Sequence, residues 1–504
     1  MAKKDAYTTL WNLSKHGTVL CSVNRLLEWD QETYLPHGAI ENRSLQIETL
    51  ATLIHKEYTS ARFSKALDKL ISIETGDIRE PQLSDPQKAA LREWRRDHLT
   101  MIKLPTSFVR TFAQTTSKAI HAWAEAKKKN NFRLFVPFLE KIISLSRKKA
   151  DYLGFEDHPY DALLDLFEPG VKTAYLTPLF GKLKIGLTEL IKTVTNTQQP
   201  PQDFLHGDFP AAKQMHFAHE LLRAMGFDPL TSRLDQSAHP FCTDMHPRDV
   251  RMTTHIHPDS PLPNIFAVIH EGGHGLYHKN LPAEHYGSPL AESASLGIDE
   301  SQSRFWETFI GHSFPFWQYF YPKLQALFPE KLQQVTLEKF YHAINRVKPS
   351  FIRIQSDEVT YSLHIILRFE IEKALIEGTL KPKEIPEIWN EKMRDYFGIT
   401  PPDFALGCLQ DIHWSMGAIG YFPTYTLGNL YAAQFLGAFE KAHPDWHAKV
   451  AAGQLHFIEK WLAEHIHHHG RRFTPSELIQ RLTGTPLSEK PYLAYLNKKF
   501  THPK

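Results

Sequence analysis

A chain of 504 residues with 42% apolar content can bury a large core in one or more domains. Its 58 basic and 56 acidic residues leave a formal charge of only +2, which gives no case for nucleic acid or an anionic membrane as the main partner. The three cysteines, Cys21, Cys242 and Cys408, lie far apart, so neither a disulfide framework nor a cysteine metal site is expected.

The first residues, MAKKDAYTTLWNLSK, contain no apolar core of signal-peptide length, and no apolar run of spanning length follows. With a low, odd cysteine count, this predicts a soluble cytoplasmic protein. EPQLSDPQ (80–87) and QQPPQDF (198–204) are rich in helix breakers and read as loops, too short for flexible interdomain linkers. DVRMTTHI (249–256) alternates Val250, Met252 and Ile256 with Arg251, Thr253 and His255, which predicts a strand. Asp249, Arg251 and Thr253 share one face of it, and its edge is expected to suit an extended peptide.

From Leu363 the apolar residues fall at Ile366, Leu367, Ile371, Ala374 and Leu375, a helical stripe. Leu455, Ile458, Trp461, Leu462 and Ile466 repeat the pattern. EHIHHHGRR (464–472) then places His465 and His469 four apart, but a solvated helix end stopped by Gly470 explains it better than a metal site. No internal repeat is present. The predicted fold is predominantly α-helical: a single large helical unit over residues 1–504, with a small β-sheet beside a deep active-site cleft.

The most informative stretch is AVIHEGGHGLYH (267–278), which holds a His-Glu-x-x-His core. Residues four apart on a helix share a face, so His270 and His274 present two imidazoles to one ion. Glu271 beside them is placed to act as general base of a zinc peptidase. With 29 histidines in the chain the bare motif is good but not decisive. Gly272 and Gly273 each cost a helix interior about 1 kcal/mol relative to Ala, so they mark either a broken helix or a close approach by another element or a substrate.

A catalytic zinc site needs a third protein ligand. His278 continues the series, but its axial offset from His270 is about 12 Å, too far for both to reach one ion; it reads as a supporting or packed residue. Glu292, Asp299, Glu300 and Glu307 remain, and spacing does not choose among them.

Several further segments accompany HEGGH: WDQETYLPHG (29–38), HPF (239–241), DVRMTT (249–254), DESQS (299–303), IRIQSDEVTYSLHIILRFEIE (352–372) and GCLQDIHWSMGAIGYFPTYTLGN (407–429). In this set and order the chain resembles the carboxypeptidase Taq-like, thermostable metallocarboxypeptidases. The resemblance implies that Glu300 is the third ligand, as the Glu of an HESQS-like segment. Asp299 stands where that motif has His, Gly272 where the family has a large apolar residue, and Gln355 and Ser356 where Glu and Ala are usual.

The resemblance also implies one divalent ion per chain, Zn²⁺ foremost with Co²⁺ as alternative, a homodimer, and broad release of single C-terminal residues from peptides. His413, Tyr421 and Tyr425 resemble the His…Tyr…Tyr segment of related helical zinc peptidases. Neutral His413 and Tyr425 are expected to donate hydrogen bonds to the developing oxyanion. A carboxypeptidase must also hold a free carboxylate, which the planar fork of arginine matches. Arg353 is the first candidate, with Tyr421 sharing that carboxylate; Arg251 and Arg368 are its competitors, and a helical ion pair of Arg353 with Asp357 is the plainer account. Gln410 and Asp411 are expected to orient His413 or a ligand. HExxH does not encode where a substrate ends, so an endo- or dipeptidase on the same chemistry, or a silent peptide-binding homologue, are the alternatives.

Overall fold

The computed structural model describes residues 4–195 and 200–501. Helix α1 (Lys4–Thr33) and helix α2 (Ile40–Thr59) form an antiparallel hairpin. Arg43 of α2 reaches the Leu27 carbonyl at 2.6 Å and Asp30 at 2.7 Å, and the Tyr58 hydroxyl donates to the Ser14 carbonyl at 3.3 Å. The N-terminal helices bury Leu10, Leu13, Phe63, Leu67 and Trp94 in an apolar cluster of their own. The main core lies beyond them and runs through the rest of the chain.

Three strands make the sheet: β1 (Ser232–Gln236), β2 (Cys242–His246) and β3 (Asp249–Thr254), in the order β1–β3–β2. β1 runs parallel to β3, with Ser232 opposite Val250; β2 runs antiparallel, with Cys242 opposite Met252. The predicted strand is therefore present, with Val250 and Met252 buried. Its expected peptide-binding edge is absent, because β3 is central and its backbone groups pair on both sides. Thr253 is buried rather than facing the cleft, its hydroxyl taken by Ser237 and Phe241. α1 is clamped onto this sheet: the guanidiniums of Arg233 and Arg251 lie 4.9 and 4.4 Å from the Trp29 ring, and Arg25 meets Asp244 at 3.3 Å.

The chain then passes through helix α3 (Ala211–Met225), which precedes the sheet, and helix α4 (Leu262–Lys279), which carries the HEGGH motif. Pro263 sits in the first turn of α4, where its missing N–H costs nothing. Asn264 ties the helix start to β3 and α3: it accepts from the Thr254 hydroxyl at 2.7 Å and donates to the Gln214 carbonyl at 3.3 Å. α4 is unbroken through Gly272 and Gly273, so the glycines mark close approach. A Cβ on Gly273 would lie 2.5 Å from Ser303 Cα and 2.6 Å from the Gln302 carbonyl oxygen, both on the backbone of helix α5 (Leu296–Arg304). A Cβ on Gly272 would meet only side-chain ends, Met225 Cε at 2.7 Å and Leu222 Cδ2 at 3.3 Å.

The predicted helix after Leu363 is α6 (Tyr361–Glu377), yet it is buried almost all round, His364, Arg368 and Glu372 included. Helix α7 (Pro423–Ala442) lies against α5 and α6. Helix α8 (His456–His465) matches the second stripe. The expected solvated end after it is instead packed inward. His467 is buried and bonds Gln302 at 2.9 Å, and Arg471 pairs with Glu93, Asp97 and Glu292 at 2.9, 2.8 and 3.0 Å. Three carboxylates offset the desolvation of one guanidinium, which composition alone does not reveal. The 80–87 segment is loop only as far as Ser84, which caps a helix from Asp85; the 198–204 loop falls partly outside the described residues. Among the described residues no helix is long and apolar enough to cross a membrane.

Replacing Gly by Ala favours a helix by about 1 kcal/mol, whereas forcing a methyl into packed backbone costs about 1–3 kcal/mol. Gly273→Ala is therefore expected to lower the melting temperature, because neither contacting backbone atom can swing aside. Gly272→Ala is expected to leave it unchanged or raise it, because the flexible Met225 end gives way. Thermal melts of the two variants side by side check the contrast.

Candidate metal centre and substrate cleft

α4 and α5 bring three donor atoms together. Nε2 of His270 and Nε2 of His274 lie 3.7 and 3.4 Å from Oε2 of Glu300, and the three residues form the one His/Cys/Asp/Glu cluster of metal-binding geometry among the described residues. Donors bonded to zinc at about 2.0–2.2 Å and tetrahedral angles stand about 3.3–3.6 Å apart, so the spacing fits.

The ring nitrogens on the far side are each backed by a carboxylate. His270 Nδ1 is 2.8 Å from Glu307 Oε2, and His274 Nδ1 is 2.6 Å from Asp299 Oδ1. A carboxylate only accepts, so Nδ1 carries a proton and Nε2 is the nitrogen turned toward Glu300, the one left for a metal to take. Asp299 also takes His278 Nε2 at 2.9 Å and the Ser293 hydroxyl at 2.7 Å. His278 is thus a supporting residue that reaches the centre through Asp299. Burial works to raise the Asp299 carboxyl, but His278 and His274 outweigh it and hold it well below the carboxylate range. Burial likewise opposes Glu307, while Arg304 at 2.7 Å and His270 hold it at about 2.

Of the four carboxylates left open by spacing, only Glu300 joins the histidines. Glu307 and Asp299 stand behind them, and Glu292 pairs with Arg471. Glu307 comes from a π-helical turn, Phe305–Gly311, that continues α5; such turns concentrate at functional sites. Glu300 is pressed from behind by α7, where a Cβ on Gly428 would lie 2.4 Å from Glu300 Cγ. Glu271 is buried beside the donors, and burial pushes its carboxyl above the ordinary value while the two imidazoles draw it back.

A second group faces this centre. His413 Nε2 lies 3.2 Å from the Tyr425 hydroxyl, and the Tyr421 ring packs 5.3 Å from Tyr425 and 5.4 Å from His413. Burial holds His413 down at about 4, which keeps it neutral, and pushes Tyr421 up to about 12. The Glu300 carboxylate adds to the upward push on both tyrosines.

Arg353 is buried next to them, its guanidinium 4.8 Å from the Tyr425 ring. Its Nε and one terminal nitrogen reach Asp411 Oδ1, both at 3.0 Å, and the other terminal nitrogen reaches the Tyr361 hydroxyl at 3.2 Å. The alternative pair with Asp357 does not form; Asp357 instead accepts from the backbone of Lys348, Val359 and Thr360. Asp411 does not hydrogen-bond His413 either. Its second oxygen holds Arg368 at 2.7 Å, so one carboxylate braces two arginines. Gln410 accepts from the Arg353 backbone N–H at 2.9 Å. Arg251 is tied to Asp249 on the sheet and Arg368 is fully buried, which leaves Arg353 the best placed of the three.

Sequence reasoning missed Arg304 and Tyr361. The Arg304 guanidinium bonds Glu307, lies 5.1 Å from the Tyr361 ring and thereby links the metal centre to Arg353. The i, i+3 spacing of Arg304 and Glu307 was the only local signal. A cavity of about 370 Å³ opens at Phe266, Arg304, Glu307 and Gln355.

The carboxypeptidase Taq (M32) metallopeptidase family model matches residues 9–500. The chain belongs to this family. The thermostable carboxypeptidase 1 of Thermus thermophilus is 41% identical over 99% of both chains, and carboxypeptidase 1 of Bacillus subtilis is 40% identical over 99% of this chain and 98% of its own. The crystal structure of an M32 carboxypeptidase from Deinococcus radiodurans R1 matches with a TM-score of 0.95 at 35% identity, covering 98% of this chain and 99% of that one. The helical fold and the metallocarboxypeptidase activity read from the motifs are those of this M32 family.

Glu300→Ala is expected to empty the metal site, since two imidazoles remain. Glu292→Ala removes a partner of Arg471 and should leave metal stoichiometry intact. Metal analysis of the purified variants checks both.

Proposed function

We propose that the chain is a zinc carboxypeptidase that releases single residues of broad type from peptides with a free C-terminal carboxylate. One observation carries the exopeptidase assignment: a buried, pre-braced Arg353 beside the His413–Tyr425 pair. Of its five N–H groups, Asp411 and Tyr361 engage three, which leaves one on each terminal nitrogen for a second carboxylate.

His270, His274 and Glu300 are the residues that would hold the ion, with Zn²⁺ favoured by a His₂Glu donor set and Co²⁺ an alternative. When bound, the metal supplies Lewis acidity that polarises the scissile carbonyl and makes water more acidic. Glu271 takes a proton from the attacking water and returns it to the leaving amine. His413 and Tyr425 donate to the oxyanion as it develops, being neutral donors already in place. Arg353, with Tyr421, grips the terminal carboxylate in two parallel hydrogen bonds. The same reading takes residues 1–504 as one unit, forming a homodimer in the cytoplasm; three free cysteines suit that compartment.

Glu271→Gln keeps size and polarity but removes the base. It is expected to retain metal while kcat falls by at least about 10²–10⁴; full activity in the metal-loaded variant would refute the mechanism. Arg353→Ala should cut kcat/KM for free-acid peptides by roughly 10- to 150-fold, the equivalent of about 1.5–3 kcal/mol for a charged hydrogen-bonded pair. Metal content should not change, the gap between free-acid and C-amidated substrates should narrow, and Arg353→Lys should rescue little. An unchanged acid-over-amide preference would make Arg353 structural.

A further inference from the structure

Two fully buried carboxylates take no part in the chemistry above. Glu372 accepts from Tyr160, Trp414 and the Gly420 N–H and so braces the loop that carries His413. Glu168 lies at the start of α5, the helix that carries Glu300. Its Oε2 accepts from the Gly297 backbone N–H at 2.9 Å, and its Oε1 accepts from the Ser295 hydroxyl at 3.0 Å and the Tyr431 hydroxyl of α7 at 2.9 Å. Its neighbour Phe167 takes the Leu296 N–H on its carbonyl at 3.1 Å and rests its ring edge-on against Tyr421 at 5.2 Å.

The first N–H groups of a helix have no partner inside it. In α5 the Leu296 and Gly297 N–H groups are taken by Phe167 and Glu168, and the Ile298 N–H by the Ser295 hydroxyl. The helix has nine residues before its π turn; Asp299 falls in its opening turn and Glu300 directly after it. They follow Gly297 by only two and three positions, so any displacement there passes directly to both. The fit leaves no slack, since a Cβ on Gly297 would lie 2.4 Å from Glu168 Oε2.

We propose that Glu168 is a positioning residue of the metal centre. Acting through Gly297 and Ser295, it sets the height and rotation of α5. Glu300 then faces His270 and His274 while Asp299 faces His274 and His278. This rests on the reading that His270, His274 and Glu300 hold the ion. A ligand constellation must be held to within about 0.5 Å, which a nine-residue helix does not achieve unless its start is fixed.

The test measures zinc affinity by chelator competition, alongside melting temperature, on full-length variants shown to be folded by circular dichroism. Glu168→Leu fills the space but accepts nothing, and Gly297→Ala pushes α5 off the carboxylate. Either is expected to weaken zinc binding about 10- to 100-fold, as loss of a partner behind the ligands does. Glu168→Gln should stay close to the unmodified chain, because its amide oxygen serves the Gly297 N–H while the two hydroxyls rotate to accept from its nitrogen. A purely structural role predicts a lower melting temperature with unchanged zinc affinity in the folded protein, and that result overturns the proposal. If Glu168→Leu does not fold, Gly297→Ala decides. Glu300→Ala separates the two failures: if it still binds zinc as tightly as the unmodified chain, the metal reading itself is wrong; if it loses zinc while Glu168→Leu and Gly297→Ala keep it, only the role of Glu168 is.

Discussion

The site depends on the close backbone approach of α4 and α5. Gly273 lets Ser303 and Gln302 come where any side chain would intrude, and that contact brings Glu300 against the two histidines. The helix propensity lost at Gly272 and Gly273 is the local cost of this geometry. Each of the three glycines in the motif helix faces a different wall: Gly272 looks to α3, Gly273 to α5, and Gly275 to Phe227 and to Met252 on β3. Their spacing records a helix surrounded by close neighbours.

Electrostatics finish what packing begins. Two half-buried imidazoles whose inner nitrogens face Glu300 are each backed by a carboxylate, and each carboxylate is in turn held by a cation or a donor. Glu307 has Arg304; Asp299 has His278 and Ser293. Asp299 serves two histidines at once because His278 follows His274 by one turn on the same face. An unpaired carboxylate at this depth would take up a proton and cease to orient the ring. The network therefore has to be complete to work at all.

The same economy governs the cleft wall. Asp411 holds Arg353 and Arg368 with its two oxygens, so two arginines share one counter-charge and the pair stays net positive. That residual charge is what a terminal carboxylate would meet. Arg304 and Tyr361 join this cationic wall to the candidate metal centre, so Arg353 and Glu307 are tied through one chain of contacts.

The helical class, the strand at Asp249–Thr254 and the placing of His270 and His274 on one helix face were legible in the sequence, because each rests on local spacing: period 2, period 3.6, or one turn of a helix. Spacing alone did not choose among Glu292, Asp299, Glu300 and Glu307, and Glu300 came only from the family resemblance; in the fold, the crossing of α5 over Gly273 and the press of Gly428 put Glu300 beside the two histidines. The inward fold of His467 and Arg471 was hidden for a similar reason. Their partners Gln302, Glu93 and Asp97 lie more than a hundred residues away, and a basic run looks the same whether water or three carboxylates receive it. Asp411 and Glu168 show the limit most clearly. Sequence neighbours suggested that Asp411 orients His413, and nothing suggested Glu168 at all. Hydrogen bonds between distant segments are selected by tertiary packing, so periodicity determines which face of an element is apolar, and only the assembled fold determines which polar group each buried charge will meet.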